Sequence, residues 1–265
     1  MQKKQILAAA GLMALTLAAH AAGQWSVSAG YDYTSGDYGG DTTTTIHTIP
    51  VTINYLDGAW RTTVTVPWIS VTGNGSVIPG PGGPMSFSSG GSSFGMGWRA
   101  PSSSTVTNTG LGDVTATIGR ALFSQSKGFY EVSARVKFGT ADPDKYLGTG
   151  ENDYALQFDG MLGDDKVLPF FTLGYYITGD PAGYTYNDVP YGSVGLMFRN
   201  APGTSVGVGY DYRSTTIDGT DDLQQISAFY GWQTQSGWNG NVSGLVGLSN
   251  SAPDVGFNIT LGRVF

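Results

Sequence analysis

The sequence predicts an all-β protein: a single transmembrane antiparallel up-and-down β-barrel of about twelve strands, after a cleaved signal peptide. Three observations carry this expectation. Beyond residue 22, nearly every segment alternates apolar and polar side chains with period two. The connections between these segments alternate between short and long. The chain also ends on an aromatic residue, Phe265, preceded by apolar residues at alternate positions.

Residues 1–21 predict an export signal. Lys3 and Lys4 precede an apolar run from Ile6 to Ala19, and Ala19-His20-Ala21 supplies a small-x-small cleavage site. The run is shorter than the ~20 residues a spanning helix needs. Residues 22–265 are then the barrel. Composition agrees with an exported membrane protein that carries no helical span. The 265 residues include 41 glycines and no cysteine, and 12% are charged, about half the usual ~25% of a soluble domain. Without cysteine there is no disulfide framework, thiolate metal site or cysteine nucleophile. A net charge of −7 argues against a nucleic-acid partner.

The first strand sets Trp25, Val27, Ala29 and Tyr31 against Ser26, Ser28, Gly30 and Asp32. The second carries Ile49, Val51, Ile53 and Tyr55 on one face, and the third carries Trp60, Val64, Val66 and Trp68 around Arg61. Val114, Ala116, Ile118 and Leu122 mark the fourth. The fifth opposes Tyr130, Val132, Ala134 and Val136 to Glu131, Ser133, Arg135 and Lys137. Tyr154, Leu156 and Phe158 alternate with Asp153, Gln157 and Asp159 in the sixth. The seventh, Val167–Ile177, is apolar on both faces. The remaining strands carry Val194, Leu196 and Phe198; Val206, Val208 and Tyr210; Ile226, Ala228, Tyr230 and Trp232; Val242 and Val246; and Val255, Phe257, Ile259 and Leu261.

Tight connections with turn residues occur at Leu56-Asp57-Gly58, Ser126-Lys127-Gly128, 163–166, 200–203 and Gln235-Ser236-Gly237. Between them lie longer ones at 35–44, 70–111, 139–152, 178–190, 214–222 and 249–253. An even strand count with short periplasmic turns places both termini in the periplasm of a Gram-negative cell. Lipid takes the place of a core, so apolar side chains point outward and polar ones inward. A secreted β-sandwich also alternates, but it does not sort its connections by length. Trp25, Tyr55, Trp60, Trp68, Tyr130, Tyr154, Trp232 and Trp238 fall at strand ends, where aromatic girdles sit.

Two stretches resemble known proteins. The terminus Phe257-x-Ile259-x-Leu261-x-Arg263-x-Phe265 is similar to the signal that the barrel-insertion machinery reads in outer-membrane proteins. Asn108-Thr109-Gly110-Leu111-Gly112-Asp113, Phe138-Gly139-Thr140-Ala141-Asp142 and Leu147-Gly148-Thr149-Gly150-x-x-Asp153-Tyr154 resemble the outer-membrane transporter family called "MetA-pathway of phenol degradation". The resemblance covers roughly 108–265 and is tightest over 108–160; Phe138-Gly139-Thr140-Ala141 departs from the family's usual Pro-Thr-Gly. It implies a channel for passive uptake of small compounds, aromatic or hydrophobic ones among them. The partners implied are outer-membrane lipid and lipopolysaccharide, the permeant and the insertion machinery.

Catalytic chemistry finds little support. His47 is the only histidine after the signal, and it shares the outward parity of Ile49 and Val51, so no Ser-His-Asp arrangement forms inside. Neither a cofactor nor a metal is expected; the loop acids Asp142, Asp144, Asp218, Asp221 and Asp222 lack calcium-loop spacing and read as solvated charge. Inward parity collects Asp32, Arg61, Asp113, Glu131, Arg135, Lys137, Asp153, Asp159, Asp211, Arg213 and Asn258. Glu131, Arg135 and Lys137 face Asp153 and Asp159 across a strand pair. Two readings stay open: salt bridges that prop a narrow barrel shut, or a constriction that selects permeants by charge. The long external loop 70–111 has one charge, Arg99, yet carries Val77, Ile78, Met85, Phe87, Phe94, Met96 and Trp98. It reads as a plug, as a hydrophobic cap over the mouth or as a disordered Gly/Ser segment. Phe170, Tyr176 and Phe229 point inward and line an apolar path or pack against that loop. The alternative to a channel is a structural or adhesive barrel with a plugged lumen and binding loops.

Overall fold

A computed structural model describes residues 23–86, 104–125, 128–163, 166–181 and 185–265, and two short strands, Ile6–Ala8 and Met13–Leu15, that pair with each other. Phe87, Phe94, Met96 and Trp98 lie outside the described residues. Among the described residues, twelve antiparallel strands form the barrel. They are β1 (Gln24–Gly36), β2 (Thr44–Asp57), β3 (Trp60–Gly73), β4 in two pieces, β4a (Val106–Leu111) and β4b (Val114–Gln125), β5 (Gly128–Phe138) and β6 (Asp153–Leu162). The circuit continues through β7 (Val167–Ile177), β8 (Val189–Ala201), β9 (Thr204–Arg213), β10 (Leu223–Gln233), β11 (Trp238–Gly247) and β12 (Val255–Val264).

Each strand pairs with its sequence neighbours, and β12 closes onto β1 with Val255 opposite Ser35 and Val264 opposite Ser26. Closure pairs both edges of the spanning strands, since hydrocarbon would not tolerate an open one; β4a, beyond the break, pairs with β3 alone. β4 is interrupted where β3 places Pro67, which has no amide to give. The Pro67 carbonyl instead accepts the Gly112 amide at 2.9 Å. Above this break, Ser70–Gly73 of β3 still pairs with β4a. Hydroxyl contacts support the extension, Thr72 to Thr107 at 2.9 Å and Thr109 to Ser70 at 3.0 Å. The long connection is therefore 74–105, shorter at both ends than the alternation of apolar residues suggested.

Side chains obey the expected parity. Leu156, Leu173 and Val194 are among the most exposed apolar residues, at 62%, 59% and 57%, and they lie on the outward face at mid-strand. Trp25, Trp60, Tyr154 and Trp238 are exposed at the strand ends, and Trp68 is exposed within β3, opposite Leu111. At the turn end, Arg120 lies 5.3 Å over Trp60, and Arg263 sits between Trp238 at 5.5 Å and Phe265 at 5.4 Å. These contacts hold two cations at the rim of the belt, where their stems lie on apolar surface. His47 also faces outward; its Nδ1 is 2.7 Å from the Tyr31 hydroxyl, and the Tyr33 ring lies 5.3 Å away.

The outward belt generates a depth-dependent expectation. Leu173→Arg should lower stability in phospholipid vesicles by about 2–4 kcal/mol, the cost of an arginine at the bilayer midplane. Unfolding titrations of the vesicle-inserted protein measure this; an unchanged midpoint would contradict the assigned face.

Candidate functional site: the lumen and its plug

Inward side chains of β3 to β6 form a wall tied by ion pairs. Arg61 of β3 reaches past β4b to Glu131 of β5, with Nη2 on Oε1 and Nε on Oε2 at 3.3 Å; Nη1 donates to Thr63 Oγ1 at 2.7 Å. Both partners are buried. The strand they cross presents Gly119, and a Cβ there would meet Glu131 Oε1 at 2.6 Å. Glycine is thus required by space for the fork to close.

The second cluster sits toward the loop end. Lys137 Nζ lies 2.9 Å from Asp113 Oδ2, 2.8 Å from Asp153 Oδ2 and 3.1 Å from Thr149 Oγ1. The free oxygens are satisfied by backbone: Ala141 donates to Asp113 Oδ1 at 2.9 Å and Gly179 to Asp153 Oδ1 at 2.9 Å. Thr140 adds a brace, donating to the Gly112 carbonyl at 2.9 Å and accepting from the Val114 amide at 2.9 Å. The motif residues of 108–154 therefore fold loop 139–152 back onto the break in β4. Leu147 and Ala141 of that loop are buried against Ile46, Ile69 and Val71.

Three of the expected lumen acids have neutral partners. Asp159 accepts from Thr172 Oγ1 and from Gln157 Nε2, both at 2.7 Å, and Tyr191 donates to Gln157 Oε1 at 2.8 Å. Asp32 accepts from Asn258 Nδ2. Asp211 has only long contacts, to Ser227 at 3.4 Å and Gln225 at 3.5 Å. Across β5 and β6, Lys137 stands opposite Asp153 and Arg135 opposite Ala155. Glu131 stands opposite Asp159 in register, two like charges, and turns the other way to Arg61. Arg135 has no hydrogen bond or ion pair among the described residues and faces a cavity. The ion pairs lie along the wall between near-neighbour strands, so they do not bridge the lumen shut.

That cavity, about 340 Å³, occupies the turn-end half of the lumen against β11, β12 and β1 to β5. Its lining mixes neutral polar residues, including Ser28, Asn54, Thr117 and Asn239, with Val27, Pro50, Leu56 and Val264, and Arg61 and Arg135 are its cations. The opposite side is apolar. Phe129, Met161, Leu168, Phe170 and Met197 form a buried cluster, with Phe229 and Leu56 packed on it. The aromatic rings lie against inward glycines: a Cβ at Gly195 would meet Phe170 at 2.2 Å, and one at Gly207 would meet Phe229 at 2.2 Å. Rings laid on bare backbone leave more of the bore free than upright ones would. Tyr176 and Tyr191 stack at 4.2 Å higher on the same side.

The loop end is capped from within. Val77–Gly80 and Gly83–Ser86 form a hairpin whose Val77, Ile78 and Met85 are buried. Ile78 and Met85 pack with Tyr186 and Ile217 from two other loops, with Tyr146 alongside. Arg213 of β9 donates to the carbonyls of Pro81 and Pro84, the latter at 3.2 Å. Loop acids serve as local braces. Asp222 is held below the usual carboxylate range, first by the Tyr212 hydroxyl at 2.7 Å, with the Thr215 amide at 2.9 Å and Ser214 adding to it against the opposing effect of burial. Asp218 accepts from Asn187 at 2.8 Å and Asp221 from Asn250 at 2.9 Å. Among the described residues no group of acids and histidine has the geometry of a metal site.

Sequence parity missed the hairpin, the Tyr176–Tyr191 stack and the buried Phe129, Met161 and Met197. A signal for the hairpin existed: the Pro-Gly tip 79–84 lies between Val77-Ile78 and Met85, two apolar runs around turn dipeptides.

No family model matches the sequence, and no curated protein is similar to it in sequence. Solved structures do share its fold. The COG4313 outer membrane channel from Pseudomonas putida F1 superposes with a TM-score of 0.67 at 14% identity, over 93% of this chain and 97% of that one. The KdgM porin follows at 0.54 and 9%, over 90% and 99%. The translocator domain of the autotransporter NalP from Neisseria meningitidis gives 0.51 and 11%, over 92% and 89%. At these identities the likeness establishes the barrel fold, which outer-membrane channels, porins and a translocator have in common.

The two kinds of luminal cation separate in a stability test. Lys137→Met strands two buried carboxylates and should cost about 3–5 kcal/mol. Arg135→Met removes no ion pair and should stay within about 0.5 kcal/mol. The gel-mobility shift on heating reads both; equal losses would contradict the assignment.

Proposed function

We propose that the protein is an outer-membrane channel for passive uptake of small molecules, held closed at its loop end by the 77–86 hairpin. The observation that carries this reading is the cavity of about 340 Å³ lined by Ser, Thr, Asn and Arg135 beneath the plug. A barrel of this size has room to fill its bore with side chains. Here the apolar cluster fills one side, and the other is left polar and hollow. The motifs of 108–160 favour a transport role, because the family they resemble implies a channel for small, aromatic or hydrophobic compounds. Rings at Phe170 and Phe229 on the apolar side suit such compounds. Phe87, Phe94 and Trp98 belong to the same loop as the plug and extend its apolar character. In this reading both termini and the tight turns face the periplasm, Phe265 is the handle for the insertion machinery, and lipid and lipopolysaccharide contact the outer belt. His47 faces outward beside Tyr31, which leaves the lumen without a histidine for acid–base chemistry among the described residues.

A second reading has its own support. Tyr186, Ile217, Tyr146 and the hairpin pack into one cap over the mouth, as they would in a structural barrel whose loops bind. Single-channel recording separates the two. The refolded chain should conduct rarely, and deletion of 75–105 should give steady conductance. Silence in both, with folding confirmed by gel mobility, would leave the structural barrel.

A further inference from the structure

Arg213 is a cation in an unusual setting. It is 5% exposed, and among the described residues no carboxylate lies within ion-pair distance of it. The nearest inward acid on its own strand, Asp211, is two residues away and is contacted by Gln225 and Ser227. Its guanidinium instead donates to two backbone carbonyls, Pro81 and Pro84, and its buried Nε has no partner. A guanidinium fork matches a carboxylate, and charge-assisted bonds to one are roughly twice as strong as neutral ones. The hairpin carbonyls therefore occupy the place of a stronger acceptor.

The rest of the tip fits the same description. Gly82, at φ +71°, lies on the Tyr176 ring, where a Cβ would meet Cε2 at 2.9 Å. A Cβ at Gly83 would lie 3.6 Å from Leu223 Cδ1 and 3.9 Å from Arg213 Nη1. Lifting the tip would uncover a guanidinium beside a tyrosine ring, itself stacked on Tyr191, and a leucine methyl. The hairpin's own ladder is weak, because Pro79 stands opposite Pro84 and neither has an amide to donate. Its contacts with the barrel include Arg213, the contact from Thr216 Oγ1 to Met85 Sδ at 3.2 Å and apolar packing.

We propose that Arg213, Tyr176 and Leu223 form a binding site for a small aromatic carboxylate, which the Pro81–Pro84 tip fills until such a ligand displaces it. The plug is then ligand-opened: the carboxylate takes the guanidinium, its ring takes the place of Gly82 on Tyr176, and the hairpin is released. This rests on the channel reading for its use and on the tip contacts for its chemistry.

The chain has no cysteine, so one introduced thiol reports the tip. Pro81 is buried, and Pro81→Cys keeps its carbonyl while placing a thiol under the plug. In the refolded full chain, benzoate should quicken maleimide labelling of this thiol about tenfold, the advantage of a charge-assisted bond over a neutral one. Benzyl alcohol, with the same ring and no charge, should not. Adding Arg213→Gln should make labelling fast without ligand and indifferent to benzoate. Equal effects of benzoate and benzyl alcohol, or no effect of either, would overturn the proposal whether or not the arginine variant folds. Planar-bilayer current under the same conditions keeps the two claims apart. Labelling that responds to benzoate without current retains the site and removes the channel; current with unresponsive labelling does the reverse.

Discussion

A chain that crosses hydrocarbon as strands must pair every backbone amide and carbonyl with another strand, and the pairing of β12 onto β1 completes that requirement here. Once the ring is closed, the two-residue period of a strand assigns every side chain to lipid or lumen. Many apolar residues face out, so the interior holds only separate apolar clusters beside its polar groups. The bore must then satisfy its own polar groups within the barrel. The luminal features described above are solutions to that second problem.

The solutions differ around the circumference. From β3 to β6 the wall is held by Arg61–Glu131 and by Lys137 between Asp113 and Asp153, each closed on itself and completed by backbone donors. From β5 to β8 the turn end is apolar, and the Phe170 ring lies on Gly195 of the next strand. Facing β11, β12 and β1 to β5, Ser, Thr and Asn line a hollow that no described residue fills. At the loop end a proline-rich hairpin folds inward, and its Pro81 and Pro84 carbonyls accept from the buried Arg213. Neutralised charges thus build the wall, while Arg135 and Arg213 have no carboxylate partner among the described residues.

Much of this was legible in the residues. Period two placed Arg61, Glu131, Lys137, Asp153 and Phe170 inside and Leu156 outside because strand parity is local. The Lys137–Asp153 pair followed because the two residues are direct neighbours across β5 and β6. The Arg61–Glu131 fork did not follow, since it skips a strand and depends on the bare backbone of Gly119. Asp113 could be placed inward, yet its grip on loop 139–152 depends on the break opposite Pro67, which parity does not contain. The hairpin was legible as two apolar runs around a Pro-Gly tip; its destination depends on Arg213, more than a hundred residues away in sequence. Side chains that contact neighbours in a strand pair are readable from pattern, and those that meet across the bore are not.

In the proposed channel the bore is hollow at its turn end and sealed at its loop end. Ser28 lines the hollow. In oriented vesicles, a Ser28→Cys thiol should react quickly with a membrane-impermeant maleimide applied from the turn side and negligibly from the loop side. Equal reaction from both sides would mean an unplugged pore, and reaction from neither would mean that the hollow is closed; either result would contradict the account.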